Sequence, residues 1–176
     1  EMGGLVEDQI SAALGAMMNM ETNDAERVIA RDHEVNAMEV AIDDECSRIL
    51  ARRQPAASDL RLVLAISKVI TDLERIGDEA AKIARQALNL NTEGSSPSGY
   101  VELKNIGVHV SAMLRDSLDA FARLDVEMAV QVARQDQQVD REYGSAMRSL
   151  VTYMMEDPRV ISSVINEMWA LRSLER

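Results

Sequence analysis

Apolar side chains recur at three- and four-residue intervals through most of the chain, without the sustained alternation that a half-buried strand requires. The pattern predicts six helices, over about residues 2–20, 22–53, 57–90, 99–123, 125–156 and 158 to the end, and so an all-α fold. Pro55, Pro97 and Pro158 fall between them, where proline can separate or start a helix but would break one internally. Asp24 and Asp125 stand near the starts of the second and fifth helices, where a carboxylate suits the helix dipole. The stretch NTEGSSPSG, residues 91–99, is the one linker.

The six helices read as three, repeated. Val63-Leu64 through Leu73-Glu74-Arg75 aligns with Val164-Ile165 through Leu174-Glu175-Arg176 at an offset of 101. Asp32, Val35 and Asn36 align with Asp136, Val139 and Asp140 at an offset of 104. Matching apolar positions alone would be weak, since amphipathic helices share them, but the polar positions match too. The predicted architecture is a tandem repeat of two antiparallel three-helix bundles, over 1–92 and 98–176, the second one truncated.

Helical geometry shows which way the acids point. At about 100° per residue, Asn36, Glu39 and Asp43 fall within about 40° of Asp32, in the sector that holds Val28, Cys46 and Leu50. In the third helix Glu74 and Asp78 share a stripe with Val63, Ile70, Gly77 and Ala81, while Arg61, Lys68, Asp72, Arg75 and Glu79 form the expected solvated face. Gly77 costs about 1 kcal/mol of helix propensity relative to Ala, and close approach of a neighbouring helix or ligand would offset it. The fifth helix places Asp136 and Asp140 with Val132 and Val139, and puts Tyr143 where the first repeat has Glu39. Glu175 lies with Val164 and Leu171 in the sixth, and its i+4 partner would be position 179, so the second motif is expected to be incomplete.

Carboxylates on an apolar stripe need compensation, because burying an unpaired ion costs several kcal/mol. Oxygen donors at i and i+4 on facing helices suit a divalent metal, with Mg, Ca, Mn and Fe within the chemical range and Zn or Ni not distinguished from them. The spacing equally allows a solvated groove in which Arg and Ser side chains satisfy the acids. A histidine-bearing di-iron bundle does not fit, since Ala30 and Ile106 stand where Glu should precede His33 and His109 by three positions. Both histidines are expected to be ordinary surface or packing residues. No nucleophile–base pair, phosphate-cradling glycine loop or zinc motif is present in the sequence, and nothing in it proposes a reaction.

Charge and composition narrow the class. The net charge is −11, with 12 acidic and 3 basic side chains among residues 1–50, against the basic footprint of a nucleic-acid binder. The 47% hydrophobic content separates the chain from disordered acidic tails. Five aromatics (one Trp, three Tyr, one Phe) beside 11 Met fit long helices packed by aliphatic side chains. A single cysteine, Cys46, suits a reducing compartment, and no uncharged run reaches the ~18–20 residues that span a bilayer.

The segments DLERIGDEAAKIA (72–84), RQPAASDLR (53–61), VNAMEVAIDDEC (35–46), MGGLVEDQI (2–10) and TYMMEDPR (152–159) together resemble the PhoU family of phosphate-regulon regulators, in order and over essentially the whole chain. The resemblance implies two three-helix bundles and a cytoplasmic, non-catalytic negative regulator of phosphate uptake. It implies partners in the phosphate-sensing histidine kinase and the ATPase subunit of the phosphate ABC transporter, and contact with the membrane only through them. The family's E(D)xxxD motifs imply metal ligands at Asp32, Asn36, Glu39, Glu74 and Asp78, and at Asp136, Asp140 and Glu175. A homodimer is compatible with the row Leu62, Val69, Ile76 and Ile83, although a central helix buries more than one face and the row better suits contact between helices or bundles. The alternative is a structural helical scaffold with neither metal nor signalling role; a carboxylate-bridged metalloenzyme is the weakest reading.

Overall fold

The computed structural model describes residues 1–93 and 100–176, all in helices and short turns. In order these are α1 (Met2–Asn19), α2 (Thr22–Arg53), α3 (Ala57–Glu93), α4 (Tyr100–Arg123), α5 (Val126–Glu156), a 3-10 turn (Pro158–Val160) and α6 (Ile161–Glu175). α3 runs three residues past its expected end at 90, to Glu93. The rest of the predicted linker, Pro97 included, lies outside the described residues. The sixth helix opens with the 3-10 turn because Asp157 accepts a hydrogen bond from the Arg159 amide at 3.0 Å with Pro158 between them. Asp125 caps α5 as expected, accepting from the Met128 amide at 3.0 Å.

Two sets of three helices emerge from the packing. α1, α2 and α3 contact one another, as do α4, α5 and α6, and among the described residues the sets meet only where α1 touches α4 and α3 touches α6. Each cross-contact therefore joins a helix to its own repeat equivalent. In the α1–α4 contact a Cβ on Gly3 would stand 2.8 Å from Leu118 Cδ2, and one on Gly107 would stand 2.9 Å from Leu14 Cδ1. Gly107 follows Gly3 by 104 positions, and Leu118 follows Leu14 by the same interval. Each helix offers a glycine gap to the other's leucine, the reciprocal arrangement of a two-fold interface, here within one chain.

The turns that reverse the chain repeat as well. Met20 and Leu124 both adopt left-handed backbone, with φ of 57° and 54°. The following amide bonds back to Ala16 O (3.0 Å) in one case and Ala120 O (2.9 Å) in the other, closing the helix end in the Schellman manner.

The second bundle covers a side of α3 that a single amphipathic helix would leave to water, and this corrects the expectation for Glu79. Its residue is only 5% exposed, its carboxylate lies 2.9 Å from Lys82 Nζ and 3.5 Å from Arg176 Nη1, and Ser173 on α6 hydrogen-bonds it. These partners outweigh burial and hold the Glu79 carboxyl below its ordinary value. The heptad row on the same side passes from exposed Leu62 to fully buried Ile83. Between them, Val69 and Ile76 line an apolar groove of about 920 Å³ that α4, α5 and the last turn of α6 also border.

The glycine gaps lead to opposite expectations for two substitutions. Gly107→Val should lower stability by about 2 kcal/mol, because the added atoms meet buried Leu14. Gly144→Ala, whose Cβ would meet only Arg148 Nη1 at 3.6 Å, should raise it by up to about 1 kcal/mol. Urea unfolding midpoints at constant slope measure both.

Candidate carboxylate site

The stripe of α2 that carries Asp32, Glu39 and Asp43 faces the stripe of α3 that carries Ser67, Thr71, Glu74 and Asp78. Ser67 Oγ donates to Asp43 Oδ1 at 3.0 Å, and one turn along, the one Thr71 hydroxyl proton is shared between Glu39 Oε1 at 3.4 Å and the Ser67 carbonyl at 3.3 Å. Hydroxyl compensation of the acids, one of the two readings open to the sequence, is thus realised for these two. It stops there. Asp32 Oδ1 is buried without a hydrogen-bond partner.

Four carboxylates act on one another at this end. Burial and then the charge of Asp78 raise the Asp32 carboxyl above its ordinary value, against weaker opposing effects of Arg85, His33 and Lys82. Burial likewise raises Glu74, followed by the charges of Asp78, Glu39 and Asp32, with Lys82 opposing. Asn36 is exposed at the margin. As the side chains stand, no three carboxylate, histidine or cysteine groups among the described residues are close enough to hold a metal ion together. The donor set nevertheless fits a hard cation in kind: carboxylate oxygens, an orphaned one among them, and net negative charge without a paired cation.

Gly77 sits behind the pair. A Cβ there would lie 3.3 Å from Gln9 Oε1 and 3.3 Å from Val35 Cγ1, so its absence lets α1 and α2 both close on α3 beside Glu74 and Asp78. The close approach expected of this glycine is to neighbouring helices. Gln9, which the sequence reading did not single out, is 3% exposed and donates through Nε2 to the Arg31 carbonyl at 3.2 Å, tying α1 to α2 behind the site.

The corresponding place in the second bundle is built differently. Arg172 occupies the position of Thr71 and Tyr143 that of Glu39, and the two are hydrogen-bonded. Arg172 Nη1 also lies 3.9 Å from Glu175 Oε2. Met147 and Met168 replace Asp43 and Ser67. Asp136 and Asp140 are exposed on α5, and Asp136 borders the apolar groove together with Glu175. An arginine stands beside Glu175 here and, among the described residues, none is paired with Asp32 or Glu74, so the two rows are chemically unequal.

The histidines stay out of both rows. His33 Nδ1 is 2.7 Å from the Ala30 carbonyl, and His109 Nδ1 is 2.7 Å from Glu142 Oε2 across α4 and α5. Cys46 is buried in the first bundle, as its place in the apolar pattern predicts. No described helix is long and apolar enough to cross a membrane.

Comparison with known proteins agrees over the same span. A family model described as the PhoU domain matches residues 1–87 and 103–176. The chain is 59% identical over 175 residues to a phosphate-specific transport system accessory protein PhoU homolog of Pseudomonas aeruginosa, covering 99% of this chain and 72% of that one. It is 53% identical to the accessory protein PhoU of Escherichia coli, with the same coverage of both chains. Among solved structures, PhoU from Pseudomonas aeruginosa superposes with a TM-score of 0.97 at 59% identity, covering 99% of this chain and 83% of that one. The phosphate transport system regulatory protein PhoU from Streptococcus pneumoniae superposes with a TM-score of 0.90 at 32% identity, covering 99% and 81%. With the family model and relatives of this identity spanning both bundles, the chain belongs to the PhoU family.

Proposed function

We propose that this protein is a non-catalytic negative regulator of phosphate uptake and of the phosphate regulon, an adaptor that works at the cytoplasmic face of the membrane through its partners. Its partners in this reading are the ATPase subunit of the phosphate ABC transporter and the phosphate-sensing histidine kinase. It acts as a homodimer of units each built from a bundle over 1–92 and one over 98–176. The names of its relatives, phosphate-specific transport system accessory proteins, support the transport half of the reading.

The observation that carries the metal half is the uncompensated charge at the α2–α3 contact, with Asp32 orphaned and Glu74 raised beside Asp78 and Glu39. A divalent metal held by Asp32, Glu39, Glu74 and Asp78, with Asn36 at the rim, would supply the missing positive charge and clamp α2 to α3. In the second bundle, Arg172 competes with a metal for Glu175, so binding by Asp136, Asp140 and Glu175 is weaker. A purely structural scaffold draws support from the Ser67–Asp43 and Thr71–Glu39 bonds, but leaves Asp32 Oδ1 without a partner.

Titrating Mn²⁺ or Mg²⁺ into the purified protein should give a saturable heat that drops at least tenfold in affinity in Glu74→Ala/Asp78→Ala. Equal weak binding by both proteins sinks the metal reading. Deleting the gene should release phosphate-starvation genes from repression, and unchanged repression in phosphate-rich medium sinks the regulatory one.

Without metal, the folded Asp32 and Glu74 carboxyls titrate above their unfolded values. Their contribution to stability is therefore lost as pH rises from the unfolded carboxyl range through the folded values. Asp32→Asn and Glu74→Gln should each raise the melting temperature in chelator at pH 7, whereas Asp43→Asn, which disturbs an acid already bonded to Ser67, should not.

A further inference from the structure

Glu167 lies in the middle of α6 with its residue 0% exposed, and neither of its carboxyl oxygens has a hydrogen-bond partner. Its nearest charged influence is another acid. Glu102, in the first turn of α4 and half-buried, also holds an orphaned oxygen, and α4 and α6 are in contact. Charged groups on the other elements packed around α6 include Asp136 of α5, which borders the groove beside Glu175, and several that pair with one another. On α3, Glu79 and Lys82 pair with each other and Glu79 also with Arg176; on α5, Glu142 pairs with His109; at the 3-10 turn, Arg159 pairs with Asp157. Among the described residues, only Glu102 acts electrostatically on Glu167, and its charge has the same sign.

A fully buried carboxyl that no donor or cation faces is held at lower cost as the neutral acid than as the ion, and a like charge nearby adds to that preference. A hard cation is the poorer solution here, since it takes six or more oxygen donors and no third acidic or histidine ligand joins the two.

We propose that Glu167, with Glu102 as a like charge nearby, makes the α4–α6 contact of the second bundle pH-sensitive, closed while Glu167 holds a proton and loosened when it ionises. Burial first, and the charge of Glu102 second, push the Glu167 carboxyl up to about 7. The folded value exceeds the unfolded one, so this group favours the closed contact in full only at low pH. The preference falls as pH rises from the ordinary carboxyl range, and its loss is complete above about 7. The pair is separate from the carboxylates of the first bundle and carries no residue assigned to metal.

Hydrogen exchange on the full chain, in chelator and corrected for the intrinsic base-catalysed rate, tests the proposal. Protection of the amides in α6 and the first turns of α4 should fall about tenfold between pH 6 and pH 8. Glu167→Gln should abolish that change while leaving protection in α2 unaltered. Glu102→Gln removes the like charge and should shift the loss to lower pH; it also serves if Glu167→Gln fails to fold. Carbon NMR of the labelled Glu167 carboxyl should show a midpoint well above the ordinary carboxyl range. A midpoint within the ordinary range, or undiminished pH dependence in Glu167→Gln, overturns the proposal.

Discussion

The architecture depends on how closely α1 and α4 can approach. Two leucines, Leu14 and Leu118, fill two gaps left by Gly107 and Gly3, and a side chain in either gap would displace the leucine that fills it. Because the gap and the leucine of one helix are the repeat equivalents of those on the other, one sequence solution serves twice, as in a symmetric dimer. The same relation brings α3 against α6. Once those pairs are set, α2 and α5 are left on opposite flanks, and each carries its acids on an outer contact. The carboxylate rows are thus a consequence of bundle pairing: they lie where a flanking helix meets a central one, with solvent to one side.

That placement explains why the acids are only partly compensated. Near the α2–α3 turn, side chains reach water and short hydroxyls suffice, as at Asp43 with Ser67 and Glu39 with Thr71. Toward Gly77 the helices close with Gln9 and Val35 behind, and Asp32 Oδ1 loses both solvent and partner. The gradient runs along a single contact, and its dry end holds the two carboxyls with raised values.

Much of this was legible one helix at a time. The six helices, their repeat and the inward turn of Asp32, Glu39, Glu74 and Asp78 follow from the angle each residue takes on its own helix. What the wheel misses is a second partner. Glu79 lies on the far side of α3 from Glu74 and reads as solvated, yet it is adjacent to Ile76 and Ile83, whose row already marked a second buried face. Glu167 could have been found by the angular test used for the other acids, since at about 100° per residue it falls within about 40° of Leu171 and close to Leu174. The Gly3–Leu118 and Gly107–Leu14 exchange was beyond a wheel, because it depends on which helices of the two bundles meet.

The inequality of the two rows follows from four replacements within the repeat. Where the first bundle puts Thr71 opposite Glu39, the second puts Arg172 opposite Tyr143, with the guanidinium also near Glu175. A fixed cation inside the fold and an exchangeable one from solution answer the same electrostatic demand, but only the second can vary with conditions. The arginine answers Glu175, and the methionines beside it remove the outer acid and hydroxyl altogether. Among the described residues no arginine is paired with Asp32 or Glu74, so the α2–α3 row keeps a net negative charge that Arg172 offsets in part at Glu175 in the second.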